Sequence, residues 1–364
     1  MILVIFGTTG ELIKLAPVLR RLDERSHRYE LATTGQQVQQ IPSFLSELSI
    51  RQPDLWLARG RRGRDLRVNS DIPGWATQAV STFVGSRRGL RRRLLRGAGR
   101  PIVLVHGDTM TTVLGATMGR ALRVPVAHIE GGLRSFSLRH PFPEELNRRT
   151  TSRLARVHYA PGSWAASNLR GEVVDTGSNT IRDSLALVSD APLPSWVPDG
   201  QYGIVSLHRF ELLRRRQELA ATLEVLAGAA QRVPLLFVDH PVTVAAVGRF
   251  RLDHLFGERF VRVPRLPFSD FVRLERGSAF VVTDSGGSQE ECYYLDRPCL
   301  VHRVRTERRE GIGENAVLSG MRPEALRDFL RDPVRFHRSS SLPAESPSEV
   351  IVGDLERRGI AAGP

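Results

Sequence analysis

Lysine is almost missing from this chain. Lysine and arginine together number 52 of 364 residues, and Lys14 is the only lysine. The formal net charge of +13 is therefore almost entirely guanidinium. So uniform a bias reads as codon usage, and the excess alone does not mark a polyanion-binding protein. The basic runs 59–67 and 87–100 have no interleaved aromatic residues and match no nucleic-acid motif, so no nucleic-acid partner is expected. A small phosphorylated ligand in a basic cleft is the better use of the charge.

Cysteine is scarce as well. Cys292 and Cys299 are the only two; they cannot build a disulfide framework, and their spacing is no zinc pattern. They read as buried free thiols in a reducing cytoplasm. No apolar run is long enough to span a bilayer. The opening run 1–6 is too short for a signal peptide, and Glu11 and Lys14 follow at once. The expectation is a cytoplasmic protein with no membrane partner. Hydrophobic residues at 41% and charged residues at 25% are globular values. The length exceeds one ordinary core and predicts two domains of similar size.

What the chain does have is a series of strand–turn–helix units. Residues 128–149, HIEGGLRSFSLRHPFPEELNRR, stand at their centre. Glu130 follows the strand-like run 124–127. Pro141 and Pro143 bracket a turn, and Glu144-Glu145 open a helix, where unpaired amides favour negative charge. Upstream, the strand 102–106 ends in Gly107-Asp108-Thr109. Ligands of open α/β sheets bind outside the carboxyl ends of strands, so three carboxylates can reach one cleft.

In chain order, 2–6 reads as a buried parallel strand, 7–10 as a glycine turn and 11–22 as a helix. Such a unit sets backbone amides against phosphate or sugar oxygens. It lacks the third glycine of a dinucleotide fingerprint. Lys14, one turn into the helix, invites a specific role in a chain that otherwise uses arginine. A strand follows at 29–33, and 49–72 is polar and irregular. Helices 75–95, 112–122 and 143–154 then alternate with strands 102–106, 124–127 and 157–160, and 163–169 is helical behind the last strand. After 176–180 a second series begins. Its strands are 203–207, 234–238, 260–263, 279–283 and 298–301. Its helices are 217–230, 268–276, 324–331 and one that starts after Asp284-Ser285-Gly286-Gly287. A Ser/Pro-rich linker, 339–348, leads to a last amphipathic helix, 349–358. The alternation implies parallel sheets covered on both faces. The expected fold class is α/β, with two Rossmann-like doubly wound domains facing across a cleft. The domains are 1–180 and 181–343, with helix 349–358 joined to the first.

These motifs carry a resemblance. FGTTGELIKLAP (6–17), GDTMTT (107–112), HIEGGLRS (128–135), PFPEELNRR (141–149), TGSNTIRD (176–183), HRFE (208–211), TDSGGSQEE (283–291) and TERRE (306–310) occur in the order found in the non-hydrolysing UDP-N-acetylglucosamine 2-epimerases. The chain resembles that family over nearly its whole length. The resemblance implies a glycosyltransferase-B-type architecture and a homodimer. It also implies reversible interconversion of UDP-N-acetylglucosamine and UDP-N-acetylmannosamine, with no cofactor and no metal. The C2 proton is only weakly acidic, so the family eliminates UDP across C1–C2, holds 2-acetamidoglucal, and re-adds UDP after proton delivery to the opposite face. Carboxylates on both sides of the sugar and a cationic, amide-rich grip on UDP serve that chemistry.

Carried over by position, the resemblance makes Asp108, Glu130 and Glu144 the catalytic carboxylates and His208 the histidine near the diphosphate. Three carboxylates in one cleft should push at least one pKa up. Ser285, Gly286 and Gly287 match phosphate contacts, Glu291 the ribose contact, Arg308 the diphosphate cation and Phe271 the uracil neighbour. Lys14 and Arg134 match basic residues of the UDP-sugar site. Taken singly, each has an ordinary duty: Asp108 or Ser285 could cap a helix, Glu144 could serve a helix dipole, and His208 could be a satisfied loop histidine. Together and in order they read as a site. His140, His302 and the arginine runs keep ordinary structural duties.

The chain also departs from the family pattern. The usual Gly-Thr-Arg-Pro-Glu is Gly7-Thr8-Thr9-Gly10-Glu11, so Thr9 stands for an arginine. The usual Thr-Gly-Gln-His is Thr34-Gly35-Gln36-Gln37, in a region that helps bind an activating second substrate in bacterial members. Leu212 stands where Asn usually follows Glu211, and Asp239-His240-Pro241 is altered too. The rival readings are a hydrolysing epimerase that releases N-acetylmannosamine and UDP, a UDP-sugar glycosyltransferase, and a degenerate nucleotide-sugar-binding protein.

Overall fold

The computed structural model describes residues 1–66, 69–97, 99–137, 142–337, 342 and 344–361. Arg67, His140, Pro141 and positions 339–341 and 343 of the expected linker lie outside the described residues. The chain divides into two compact units. Unit 1 holds Met1–Leu187 and the C-terminal helix; unit 2 runs from Val188 to Leu342.

Unit 1 is built on a parallel sheet of seven strands: β1 (Ile2–Phe6), β2 (Tyr29–Thr33), β3 (Leu55–Trp56), β4 (Ile102–His106), β5 (Val126–Ile129), β6 (Val157–Ala160) and β7 (Glu172–Asp175). Their order is β3-β2-β1-β4-β5-β6-β7. β1 is an unbroken apolar run, and β4 is one up to His106, because both faces are covered. Along β1, Ile2, Val4 and Phe6 point into one core, with Leu12, Leu15 and Leu355. Leu3 and Ile5 point into the other, with Trp75, Phe83 and Val105. That is the two-residue alternation of a strand.

Unit 2 repeats the plan with six parallel strands: β8 (Gly203–Ser206), β9 (Leu235–Asp239), β10 (Phe260–Pro264), β11 (Phe280–Thr283), β12 (Cys299–Val301) and β13 (Ala316–Leu318). Their order is β10-β9-β8-β11-β12-β13. The fold class is thus the expected α/β pattern of doubly wound parallel sheets. No described helix is long and apolar enough to cross a membrane.

Three strands escape sequence reading: β3, β7 and β13. All three lie at sheet edges, where strands are short and half-exposed and carry little apolar signal. The strand expected at 124–127 lies two residues later, at Val126–Ile129. Pro125, with no N–H to donate, keeps the strand from starting earlier. The helix Pro241–Phe250, opened by a proline at its first position, was also not anticipated.

The last helix, Pro347–Arg357, packs on the first, Thr9–Glu24. Ile351, Val352 and Leu355 are fully buried there. Arg21 and Arg25 pair with Glu349 and Glu356 around the rim, and the Tyr159 hydroxyl donates to Asp354 Oδ2 at 3.0 Å. Residues 181–187 also belong to unit 1. Helix Ile181–Ala186 lies on Thr9–Glu24, with Ser184 Oγ donating to the Ile13 carbonyl at 2.8 Å.

Leu355→Ala should cost about 2–4 kcal/mol in urea unfolding, since it opens a cavity in a closed core; an unchanged midpoint would show that the helix is peripheral. His302 is buried in unit 2 between Thr222 Oγ1 (3.2 Å) and Ser319 Oγ (3.0 Å). Burial lowers its pKa to about 4, so unfolding takes up a proton between about pH 4 and 6.5. Its stabilisation is full above pH 6.5 and lost as pH falls. His302→Asn should remove about 2 kcal/mol of pH dependence between pH 7 and 5; parallel slopes for the two proteins would refute this.

Candidate active site

Each sheet reverses its direction of growth once, between β1 and β4 in unit 1 and between β8 and β11 in unit 2. Ligands of doubly wound sheets bind at such switch points. In unit 1 the two turns meet closely. A Cβ on Gly7 would lie 2.1 Å from Thr111 Oγ1 and 2.2 Å from Thr34 Oγ1, so only glycine allows the approach. Thr8 caps helix Thr9–Glu24 by accepting from the Glu11 amide at 3.3 Å. Glu11 Oε2 accepts in return from the amides of Gly7 (2.7 Å) and Thr8 (2.9 Å). Glu11 Oε1 crosses to the other turn and accepts from Thr109 Oγ1 (2.6 Å) and Thr112 Oγ1 (3.2 Å). Burial pushes the Glu11 carboxyl up, and these hydrogen bonds oppose the rise.

Glu130 follows β5 with a left-handed backbone, φ +64°, which is uncommon for a residue with a side chain. It is buried, and its Oε2 accepts from Lys14 Nζ and Asn179 Nδ2. His106 Nε2 is 4.0 Å away. Asp108 Oδ2 accepts from Arg148 Nη2, and the Asp108 carbonyl accepts from Asn147 Nδ2 at 2.9 Å. Asn147 and Arg148 lie in the first turns of helix Glu144–Leu154, which Glu144 opens. So the turn that carries Asp108 follows His106, which lies 4.0 Å from the Glu130 that pairs with Lys14, and it meets the start of the helix that Glu144 opens. Arg134 does not join them. Its guanidinium donates to the Leu133 carbonyl (2.8 Å) and to Ser152 Oγ (2.9 Å). Ser152 is eight residues beyond Glu144, or about 12 Å along the helix.

In unit 2, Asp284 follows β11 and accepts from the amides of His208 (2.8 Å) and Arg209 (2.7 Å) after β8. The His208 and His240 rings lie 4.5 Å apart, and His240 Nε2 is 3.1 Å from Ser206 Oγ. Burial, reinforced by Arg209, Arg265 and Arg303, lowers His208 to about 4. Burial, then His208 and Arg265, does the same to His240. Both imidazoles are therefore neutral near pH 7.

Ser285 caps helix Gly286–Tyr294, its Oγ accepting from the Ser288 amide at 3.4 Å. A Cβ on Gly286 would come within 2.9 Å of Arg308 Nε. Arg308 pairs through Nη1 with the buried Glu290. Gln289 holds the loop that carries Arg308, through the Glu310 carbonyl (2.9 Å) and Thr306 Oγ1 (2.8 Å). Gly287 and Glu291 share the helix that Ser285 caps. Phe271, on helix Phe268–Gly277, is half-buried against the core of unit 2. Cys292 and Cys299 are buried free thiols. Among the described residues, no three His, Cys, Asp or Glu side chains cluster to hold a metal ion.

Sequence reading passed over several groups that build these turns: Glu11, Arg148, Asn179, Asp284 and His240. Glu11 left a legible trace, because Thr8-x-x-Glu11 is a capping-box spacing. Asn179 and Asp284 stood inside quoted motifs without a role. Nothing in the sequence marks His240 as the neighbour of His208.

The family model described as UDP-N-acetylglucosamine 2-epimerase matches residues 20–343. The chain belongs to this family. It is 32% identical to a putative UDP-N-acetylglucosamine 2-epimerase of Thermotoga maritima over 91% of this chain and 87% of the relative. It is 29% identical to the UDP-N-acetylglucosamine 2-epimerase of Bacillus subtilis over 93% and 89%. Among solved structures, the UDP-GlcNAc 2-epimerase of Neisseria meningitidis bound to UDP-GlcNAc is similar with a TM-score of 0.77 at 25% identity, covering 98% of this chain and 99% of that one.

The Glu11 bridge generates a test. Glu11→Ala leaves donors from two turns without their acceptor and should cost about 2–4 kcal/mol in urea unfolding. Glu11→Gln, which keeps an acceptor oxygen, should recover part of that loss. Equal stability of Glu11→Ala and wild type would mean the two turns hold without the carboxylate.

Proposed function

We propose that this chain interconverts UDP-N-acetylglucosamine and UDP-N-acetylmannosamine without hydrolysing either. The observation that carries this reading is that the Asp108 turn adjoins the Lys14–Glu130 pair and meets the start of the helix that Glu144 opens, in a chain of this family. One carboxylate takes the C2 proton as the C1–O bond to UDP breaks, leaving 2-acetamidoglucal. A carboxyl group on the opposite face returns a proton to C2, and the UDP oxygen adds back to C1. The sequence is redox-neutral. It needs acid–base groups approaching from different elements, which the turn after β4, the turn after β5 and the start of helix Glu144–Leu154 supply.

Unit 2 provides the nucleotide grip in this reading. The Ser285 hydroxyl and the first-turn amides of Gly286 and Gly287 face phosphate oxygens, Glu291 takes the ribose hydroxyls and Phe271 lies by the uracil. Arg308 contributes charge while held by Glu290. His208, neutral before binding, can take up a proton as the diphosphate offsets the surrounding arginines. Arg134 is left out of the sugar grip because its guanidinium turns toward Ser152.

Proton NMR of the protein with UDP-N-acetylglucosamine in heavy water tests the proposal. UDP-N-acetylmannosamine carrying deuterium at C2 is the expected product. Free N-acetylmannosamine with UDP would replace this reading by the hydrolysing one, and an unchanged spectrum from either epimer would end it. Glu144→Gln and Asp108→Asn should each lower turnover by about 10²–10⁴-fold, with UDP affinity nearly unchanged. Loss of UDP affinity in step with turnover would assign them to binding instead.

A further inference from the structure

Unit 1 carries a second concave surface that this reading leaves unused. A cavity of about 470 Å³ opens between the second half of helix Glu144–Leu154 and the segment after helix Ser163–Ser167. Four of its eight lining residues are arginines, Arg134, Arg149, Arg153 and Arg170, and no carboxylate is among them. Over the whole chain, lysine and arginine make up one residue in seven, so composition alone does not produce this lining.

The charges are also poorly offset. Arg153 and Arg170 have no carboxylate partner among the described residues. Arg149 pairs with Glu145 at 2.8 Å. Arg134 is nine-tenths buried, and its hydrogen bonds go to a carbonyl and a hydroxyl. Burial lowers its pKa; Glu145 opposes this, while Arg149 and Arg148 add to it. A cavity of about 430 Å³ in unit 2 makes the contrast. It holds Arg232, Arg327 and Arg331, but Glu224 lines it, and Glu324 and Asp328 lie 3.7 and 3.8 Å from Arg327 and Arg331.

One further feature points to a ligand. Phe136, on the cavity's rim, has a left-handed backbone, φ +56°, and is 64% exposed. Such a conformation is a genuine outlier for a bulky residue. The loop is held in place by Glu145 Oε2, which accepts from the Ser135 amide at 2.9 Å. The Phe136 ring meets Trp164 edge-on with 6.5 Å between centroids. The backbone thus presents an open aromatic face beside four guanidiniums, which fit phosphate oxygens by paired hydrogen bonds.

We propose that this cavity binds a diphosphate-bearing anion, separately from the Asp108–Glu130–Glu144 neighbourhood. The shared chemistry is the diphosphate, whether inorganic or carried by a nucleoside whose base stacks on Phe136.

Isothermal titration of the full chain with pyrophosphate tests this, with no UDP present, because UDP is itself a diphosphate that the cavity would take. Wild type should take up at least one equivalent. Arg153→Ser/Arg170→Ser, both exposed positions, should weaken binding at least tenfold, while Arg327→Ser/Arg331→Ser in the contrasting cavity should not. Urea midpoints of both variants check folding. ADP binding more tightly than pyrophosphate, with that gain lost in Phe136→Ala, would identify a nucleotide ligand; equal affinities would identify the inorganic ion. No uptake in wild type, or equal uptake by the Arg153/Arg170 variant, overturns the proposal. Failure of the epimerase reading appears separately, as an unchanged proton spectrum with UDP-N-acetylglucosamine in heavy water, and leaves the comparison between variants intact.

Discussion

A single buried carboxylate holds the switch point of each sheet. In unit 1 it is Glu11, which starts from the turn after β1 and accepts hydroxyls from the turn after β4. In unit 2 it is Asp284, which starts from the turn after β11 and accepts amides from the turn after β8. Parallel strands contribute no direct hydrogen bonds beyond their ends, so the turns would otherwise be free to splay. Each carboxylate is pushed up by burial and held down by its donors. An acceptor with this many donors fixes geometry better than a contact between apolar side chains, which tolerates sliding. Asp108 immediately precedes Thr109, and His208 is itself one of the Asp284 donors. Asp108 and His208 thus inherit their positions from these two bridges.

The second constraint is how buried charge is used. Lys14–Glu130, Arg148–Asp108 and Arg308–Glu290 are ion pairs with at least one partner almost wholly enclosed. Desolvating both members of such a pair offsets most of its attraction, so these pairs are weak sources of stability. Their effect is positional. Lys14 brings an ammonium, a compact charge on a flexible stem, to the Glu130 oxygen that also accepts from Asn179. A planar guanidinium would demand a second acceptor at a fixed spacing.

The sequence was most legible where burial is two-sided. β1 and β4 stand at the residues that their apolar runs indicate, because a strand covered on both faces leaves little room for polar side chains. Edge strands such as β7, reading Glu-Val-Val-Asp, carry no such imprint. Site residues divide in a similar way. Asp108, Glu130 and Glu144 could be brought together on paper, since strand ends and helix starts have fixed places in a doubly wound sheet. The direction of a long side chain has no such rule. Arg134 follows Glu130 by four residues, yet its guanidinium runs to Ser152. The partner of Arg308 was equally hidden, since Glu290 meets it across a loop whose course depends on Gln289.

Thr9 and Gln37 replace an arginine and a histidine of the family pattern, and on the sequence they are two separate losses. In the fold they are one contact. Gln37 Oε1 accepts from both the amide (2.7 Å) and the hydroxyl (3.0 Å) of Thr9, while the Gln37 amide donates to the Gly7 carbonyl. Threonine at 9 alone would leave a first-turn amide and a hydroxyl to find water. Glutamine at 37 supplies the acceptor and ties the turn after β2 to the turn after β1. The pair therefore preserves the order of the switch point while removing cationic groups from it. A turn that had lost its function would have no physical reason to keep the second half of such an exchange. The contact argues that the turn's shape is held by Gln37 without an arginine at position 9.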